Sequence, residues 1–209
     1  MLNRESFFLV VSAPSGGGKT SLCKRLIGSL SDMAYSVSYT TRPPRRDEIN
    51  GKDYHFVSQE SFCAMKRKGA FAEWALVHGN YYGTSFKSLR GAIKKKKDLV
   101  LDIDVQGAKK IKKKFKNSVL VFVTPVSLQE LEKRLMKRKA DSSEEIRKRL
   151  KAALKEIKGF PLYDYLVINE DFSSALSELK AIVTAERAKI SRIKVKSRGG
   201  KFNFRKFTF

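Results

Sequence analysis

Apolar residues along this chain gather in short runs separated by amphipathic stretches. Phe7 to Val11, Asp98 to Asp104 (DLVLDID), Ser118 to Val123 (SVLVFV) and Tyr165 to Ile168 (YLVI) are rich in β-branched or other apolar side chains, the pattern of strands buried on both faces. Tyr35 to Tyr39 contains SVSY, whose alternation predicts a further short strand. Helical spacing fills the gaps. A helix is expected from Lys19 to about Gly28 to Ser31, another from Ser58 to Lys68 closed by Gly69, a third over Leu89 to Lys97, and a fourth from Ser127 with the face LxxLxxRL. Asp141-Ser142-Ser143-Glu144-Glu145 reads as the cap of a fifth, and Phe172 to about Ile193 as a long closing helix. Strands alternating with helices predict an α/β protein with a mostly parallel central sheet.

The first strand empties into Ala13-Pro14-Ser15-Gly16-Gly17-Gly18-Lys19-Thr20-Ser21. Backbone N–H groups of such a glycine-rich turn point at an anion, and the helix that follows adds the positive end of its dipole. Lys19 would reach the β and γ phosphates of a nucleotide and Thr20 would offer a hydroxyl to Mg²⁺, the arrangement of a P-loop in a three-layer P-loop NTPase. Only Ala13 departs from the motif, standing where it carries its first glycine. The signal specifies nucleotide binding and leaves the reaction open. In an α/β sheet the carboxyl end of the Asp98 to Asp104 strand adjoins the same mouth. Asp102, on one face with Asp104 by the period of two, is therefore expected near the metal, directly or through water.

Composition adds little to this picture, and charge adds more. The 209 residues are 42% hydrophobic, enough for a substantial core in one or two domains, and no run approaches the roughly 20 apolar residues of a membrane span. MLNRESFF lacks the features of a secretory signal, so a cytoplasmic location is expected. Cys23 and Cys63 have no metal-ligand spacing and read as reduced side chains. The formal net charge is +23. Clusters at Lys94 to Lys97 and Lys109 to Lys116 read as solvated helix faces, whereas the end, RGGKFNFRKFTF, interleaves basic and aromatic residues as a nucleic-acid or polyanion contact would. A frayed terminus is the other reading of that tail.

Two stretches carry chemistry beyond the P-loop. TTRPPRRDEINGKDYHF is turn-rich, and its Arg42, Arg45 and Arg46 stand close enough to converge on one anion, with a solvated basic loop as the alternative. Glu73 lies in the apolar stretch AFAEWALVHGNYYGTSF. A buried carboxylate needs donors, and a guanine edge offers two, the ring N1–H and the amine, where adenine offers no such pair; a structural salt bridge is the rival role. Tyr81-Tyr82-Gly83-Thr84 is expected to form a tight strand-turn with hydroxyls suited to phosphate oxygens, and His78 to be a turn or packing residue. The helix pair after Ser127 carries Arg134, Arg138, Arg147 and Arg149, which a closing lid would bring over a triphosphate.

In this order, SAPSGGGKTS, VSYTTRPPR, FAEWALVHGNYYGTS, LDIDVQGAK and YDYLVIN resemble the guanylate kinases, over about residues 5 to 192. The resemblance implies transfer of the γ-phosphoryl group of ATP to GMP, and also dGMP, with Mg²⁺ as cofactor, in purine nucleotide metabolism and GMP recycling. It implies that Ala13, Pro14, Ser15, Gly16, Gly17, Gly18, Lys19, Thr20, Ser21 and Asn169 hold ATP. Ser38, Glu73 and Asp104 would read guanine, and Arg42, Arg45, Tyr54, Tyr82 and Thr84 would hold the GMP phosphate. Lys19, Arg42, Arg134, Arg138 and Arg149 would act on the transferring group, with Thr20 and Asp102 serving the metal. The same resemblance divides the chain into core (1–35, 96–125, 159–195), a GMP-binding insert (36–95) and a helical lid (126–158), leaving 196–209 as a basic tail. Arg138-Lys139 departs from the Arg-Gly common in the family. Binding modules on this scaffold tend to lose the P-loop lysine, which this chain keeps; a nucleic-acid-binding ATPase is the reading that would use the basic surface.

Overall fold

The structure, a computed structural model, describes residues 3–136 and 143–194. Its elements in chain order are β1 (Asn3–Arg4), β2 (Phe8–Ser12), α1 (Lys19–Ser29), β3 (Met33–Tyr35), β4 (Ser38–Thr40), β5 (Tyr54–Phe56), α2 (Gln59–Arg67), β6 (Phe71–Val77), β7 (Asn80–Ser85), α3 (Phe86–Lys94), β8 (Asp98–Asp102), α4 (Val105–Lys114), β9 (Val119–Thr124), α5 (Leu128–Met136), α6 (Ser143–Ile157), β10 (Tyr165–Ile168), α7 (Phe172–Ala188) and β11 (Ile193–Lys194). The four apolar runs of the sequence join with β3 in one sheet of order β10-β9-β2-β8-β3, parallel throughout.

Alternation along β2 explains the layers. Leu9 and Val11 face Leu22 and Leu26 of α1 and Leu179 and Val183 of α7. Phe8 and Val10 face Leu89 of α3 and Ala108 and Ile111 of α4. Burying a large apolar side chain contributes about 1.5–3 kcal/mol, and a slip of one residue would exchange the two sets, so packing on both faces fixes the register. The result is a three-layer α/β fold with helices on both faces of the parallel sheet.

The remaining segment builds a second sheet of order β5-β4-β7-β6, in which only β4 and β5 run parallel. Its start corrects one expectation. Tyr35 to Tyr39 is not one strand, because the chain leaves the central sheet after Tyr35 and enters the second at Ser38. Ser36 is the junction: its N–H donates to Val100 O at 2.9 Å and its hydroxyl meets that of Ser88 at 3.0 Å. Tyr81 to Thr84 likewise is no turn. It is the interior of β7, and the reversal falls at His78-Gly79, whose φ values of 46° and 79° give the two-residue hairpin the twist that matches its strands.

Other boundaries shift for local reasons. Ser85 caps α3, accepting from Ser88 N–H at 3.2 Å, so that helix starts at Phe86. Strand β8 stops at Asp102, and Asp104 becomes the cap of α4, accepting from Gly107 N–H at 2.8 Å. The closing helix ends at Ala188, after which a 3₁₀ turn leads to β11, antiparallel to β1. Asp141, Ser142, Arg138, Lys139 and the tail 196–209 lie outside the described residues. Among the described residues no helix is long and apolar enough to cross a membrane.

At the amino end of the sheet Asp98, fully buried, accepts from Arg4 at 2.6 Å, from Arg187 at 2.8 Å and from Phe7 N–H at 3.2 Å, tying β1, β8 and α7 together. Asp98→Asn leaves both guanidinium groups without their counter-charge. The expected loss is about 3 kcal/mol, or roughly 6–12 °C in Tm, read by thermal denaturation. A drop under about 2 °C would show that the fold does not depend on this network.

Candidate functional site

The loop between β2 and α1 depends on glycine at two positions. Gly16 and Gly18 hold φ values of 93° and 83°, a region open to glycine and strained for other residues. A Cβ on Gly18 would lie 2.5 Å from Nδ2 of Asn169. That amide donates to Gly17 O at 2.9 Å, and Asn169 N–H donates to Thr124 O at 2.7 Å, so the ends of β9 and β10 brace the loop. On its other side a Cβ on Gly16 would meet Leu131 and Leu135 of α5 at 3.2 Å.

Lys19 leaves this loop and turns inward. Its ammonium stands 2.8 Å from Asp102 Oδ1 and donates to Ile103 O at 3.0 Å. Burial pulls the amine's pKa down, but the charge and hydrogen bond of Asp102 more than offset this, and the ammonium is held protonated. The pairing follows from register, since Val11 of β2 lies opposite Asp102 of β8. Tyr35 donates its hydroxyl to the other oxygen of Asp102 at 3.2 Å.

From the loop a cleft of about 250 Å³ runs to the second sheet. Ala13 through Ser21 line one end, and Ser38, Arg45, Tyr54, Glu73, Tyr82, Asp102 and Asp104 line the rest. The structure thus gathers residues spread over ninety positions of sequence. Glu73 is 4% exposed and follows a bulge between β6 and β7 that sets it opposite Thr84. Its Oε1 accepts from Thr84 N–H at 2.9 Å and from the Thr84 hydroxyl at 2.6 Å. Its Oε2 looks toward α4, where a Cβ on Gly107 would come within 2.7 Å of it. Burial raises the carboxyl's pKa, the Thr84 bonds lower it and the Asp104 charge raises it again, leaving it at about 7. Burial and then Asp102 push the Tyr54 hydroxyl up to about 12.

Several expected residues are placed differently. Thr84 is buried with its hydroxyl committed to Glu73, so it supports the carboxylate instead of offering itself to a phosphate. The Asn169 side chain is committed to the P-loop backbone. The three loop arginines do not converge: Arg45 faces the cleft, Arg46 is exposed, and Arg42 bonds both oxygens of Glu48 at 2.8 and 2.9 Å. Glu48 causes this by folding back over the loop, where it also accepts from Arg45 N–H at 2.8 Å. Arg134 bonds Glu130 at 2.8 Å and Asn169 O at 2.9 Å, beside the loop's brace and outside the cleft lining. Arg149 sits on α6, also outside the lining, and Arg138 falls outside the described residues.

Glu156 of α6 was not signalled by the sequence. It reads there as one more charge on an amphipathic helix, yet it lines the cleft with Oε2 buried and unpartnered. Burial raises its pKa to about 7 against the pull of Lys19. Val77 and His78, at the hairpin end, also line the cleft. Thr20 and Asp102 are the hydroxyl and carboxylate near one another that suit a hard cation, and among the described residues no group of three or more acidic, His or Cys ligands gathers. That set fits Mg²⁺, which keeps several waters and takes its other ligands from phosphate.

Comparison with known proteins agrees with this geometry. Residues 6–186 match the family model described as guanylate kinase. The chain is 47% identical over 192 residues to the guanylate kinase of Geobacter metallireducens, covering 92% of this chain and 95% of that one. It is 48% identical over 193 residues to that of Syntrophotalea carbinolica, covering 92% of each. The crystal structure of guanylate kinase from Anaplasma phagocytophilum superposes with a TM-score of 0.79 at 34% identity, again over 92% of each chain.

The contact between Gly18 and Asn169 gives a test of the loop. Gly18→Ala adds both a strained φ and a clash with the amide, so the backbone cradle should distort. The expected outcome is a rise of about tenfold or more in Kd for ATP, measured by calorimetry, with Tm little changed. Unaltered ATP affinity would separate the Asn169 brace from nucleotide binding.

Proposed function

We infer the roles of the cleft residues from one premise: the chain belongs to the guanylate kinase family and is an ATP:GMP phosphotransferase. The P-loop end takes the ATP phosphates, with backbone N–H groups from Ser15 to Thr20 and the charged Lys19 as donors. The second sheet takes GMP. Arg45, Tyr54 and Tyr82 hold its phosphate, and Arg42, gripped by Glu48, backs them. Ser38, Glu73 and Asp104 read the base.

The observation that carries this reading is the state of Glu73. One oxygen is held by Thr84, the other faces the cleft side, and the group is buried deeply enough to need donors before it ionises fully. Guanine presents N1–H and the exocyclic amine together, and supplies what the site lacks. AMP offers no such pair and would leave a buried carboxylate unsatisfied. Nothing in these roles engages the 2′-hydroxyl, so dGMP is a second acceptor.

The acceptor phosphate is already an anion, so the chain supplies alignment and positive charge more than a general base. Thr20 and Asp102, the latter directly or through water, would hold Mg²⁺, which neutralises charge on the β and γ phosphates when bound. Arg134, Arg138 and Arg149 reach the transferring group when the α5–α6 pair closes; for Arg134 this means giving up its bond to Asn169 O. A role in recycling GMP within purine metabolism follows from the reaction.

The test is a coupled ADP-release assay with GMP, dGMP, AMP, CMP and UMP offered separately. GMP and dGMP should be strongly preferred. Glu73→Gln removes a charge-assisted hydrogen bond of about 1.5–3 kcal/mol, so the ratio of kcat/KM for GMP over AMP should fall roughly tenfold or more. An unchanged ratio would move base recognition elsewhere.

The carboxyl's raised pKa adds a pH dependence. Binding guanine requires the ionised form, so affinity should rise as pH climbs toward about 7 and level off above it. Guanosine competition reads this without interference from the nucleotide phosphate, whose second ionisation lies near 6. Glu73→Gln should flatten the profile, and a wild-type profile flat from pH 5 to 8 would contradict the assignment.

A further inference from the structure

Strand β6 ends its sheet, so one row of its backbone groups has no strand partner. Helix α4 covers that edge with two lysines. Lys114 Nζ donates to Ala72 O at 2.5 Å, and Lys110 Nζ donates to Trp74 O. The spacing matches: four residues of helix rise about 6 Å, and two residues of strand span about 6.6 Å. Two ammonium groups on one helix face therefore meet two carbonyls on one strand edge, and the residue between those carbonyls is Glu73. Lys110 also lies over the Trp74 ring, 4.6 Å from its centroid, with Lys66 of α2 at 3.7 Å from the same ring.

We propose that Lys110 and Lys114 are positioning residues for base recognition, docking the open edge of β6 onto α4 so that Glu73 is held against the amino end of that helix. This rests on the reading of Glu73 as the guanine acceptor. Four groups face its carboxyl: the Thr84 N–H and hydroxyl from β7, and the Asp104 carboxylate and Lys110 ammonium from α4. Asp104 discourages ionisation and Lys110 favours it, so Lys110 both anchors the strand and offsets the second acid. Lys114 anchors only. A cluster that reads in sequence as a solvated helix face thereby acquires a task, while Lys113 on the same helix stays exposed.

The experiment uses the full chain with Lys110→Met, Lys114→Met, Lys110→Arg and, as control, Lys113→Met. Each Met change at 110 or 114 should raise KM for GMP about three- to tenfold while kcat and KM for ATP stay within twofold. Lys110→Met should also move the pH at which guanosine competition levels off upward, Lys110→Arg should restore it, and Lys114→Met should leave it in place. Trp74 is the single tryptophan, so its emission should change in Lys110→Met and not in Lys113→Met. Two results would overturn the proposal: KM for GMP within twofold of wild type in both Met variants, or KM for both substrates rising together as Tm falls. If Glu73→Gln itself leaves the GMP preference intact, the reading of Glu73 fails whatever the lysines do. If Glu73→Gln abolishes the preference and the lysine variants match wild type, only the docking role fails.

Discussion

A lysine ammonium drawn out of water stays charged only if a counter-charge is built beside it, and the centre of this protein depends on that pairing. Lys19 comes from the start of α1 and Asp102 from the end of β8, and they meet at 2.8 Å because β2 and β8 are neighbours with Val11 opposite Asp102. The parallel sheet, its two helical layers and the glycine turn are what bring a cation and an anion from distant sequence to one point. Phosphate binding then draws on a charge already placed, and the P-loop lysine needs no large reorganisation to serve it.

The acceptor end uses burial in the opposite sense. Glu73 and Asp104 are near enough for each to disfavour the other's charge, and desolvation adds to the effect, so the Glu73 carboxyl sits near neutrality in its pKa. A base with two adjacent donors relieves that condition, and one without them does not. Specificity here comes from an acid kept short of partners, with Thr84 satisfying one oxygen and leaving the other. Glu156, across the cleft, has a similarly raised pKa and an unpartnered oxygen, so the P-loop end also holds an acid that incoming phosphate must face.

The charge of +23 is not a single property of the surface. Arg4 and Arg187 converge on Asp98, Arg192 bonds Glu186 at 2.9 Å, and Lys112 reaches Asp164 at 2.9 Å. These cations join elements at the amino end of the sheet. Lys110 and Lys114 instead cover a strand edge with charge, which blunts it against pairing with another chain as well as fastening it to α4. Part of the basic excess is thus internal architecture.

Local chemistry made much of this legible in the sequence. The apolar runs declare the central strands because side chains buried on both faces leave little choice of residue, and the glycine turn with Lys19-Thr20 declares a phosphate loop because few other sequences can adopt it. Motif order carried the family, and Glu73 stood out as a carboxylate in an apolar stretch. What only the tertiary structure decided were the partners. The break at Ser36 depends on a second sheet being there to receive Ser38, and alternation cannot show that a strand changes sheets. Thr84 turns to Glu73, Asn169 to the P-loop and Arg42 to Glu48 because a polar group close to an opposing one is satisfied there, and closeness across many positions of sequence is set by packing. Glu156 and Lys110 look in sequence like ordinary helix charges; which face of a helix meets a cleft or a strand edge is fixed only when the layers assemble.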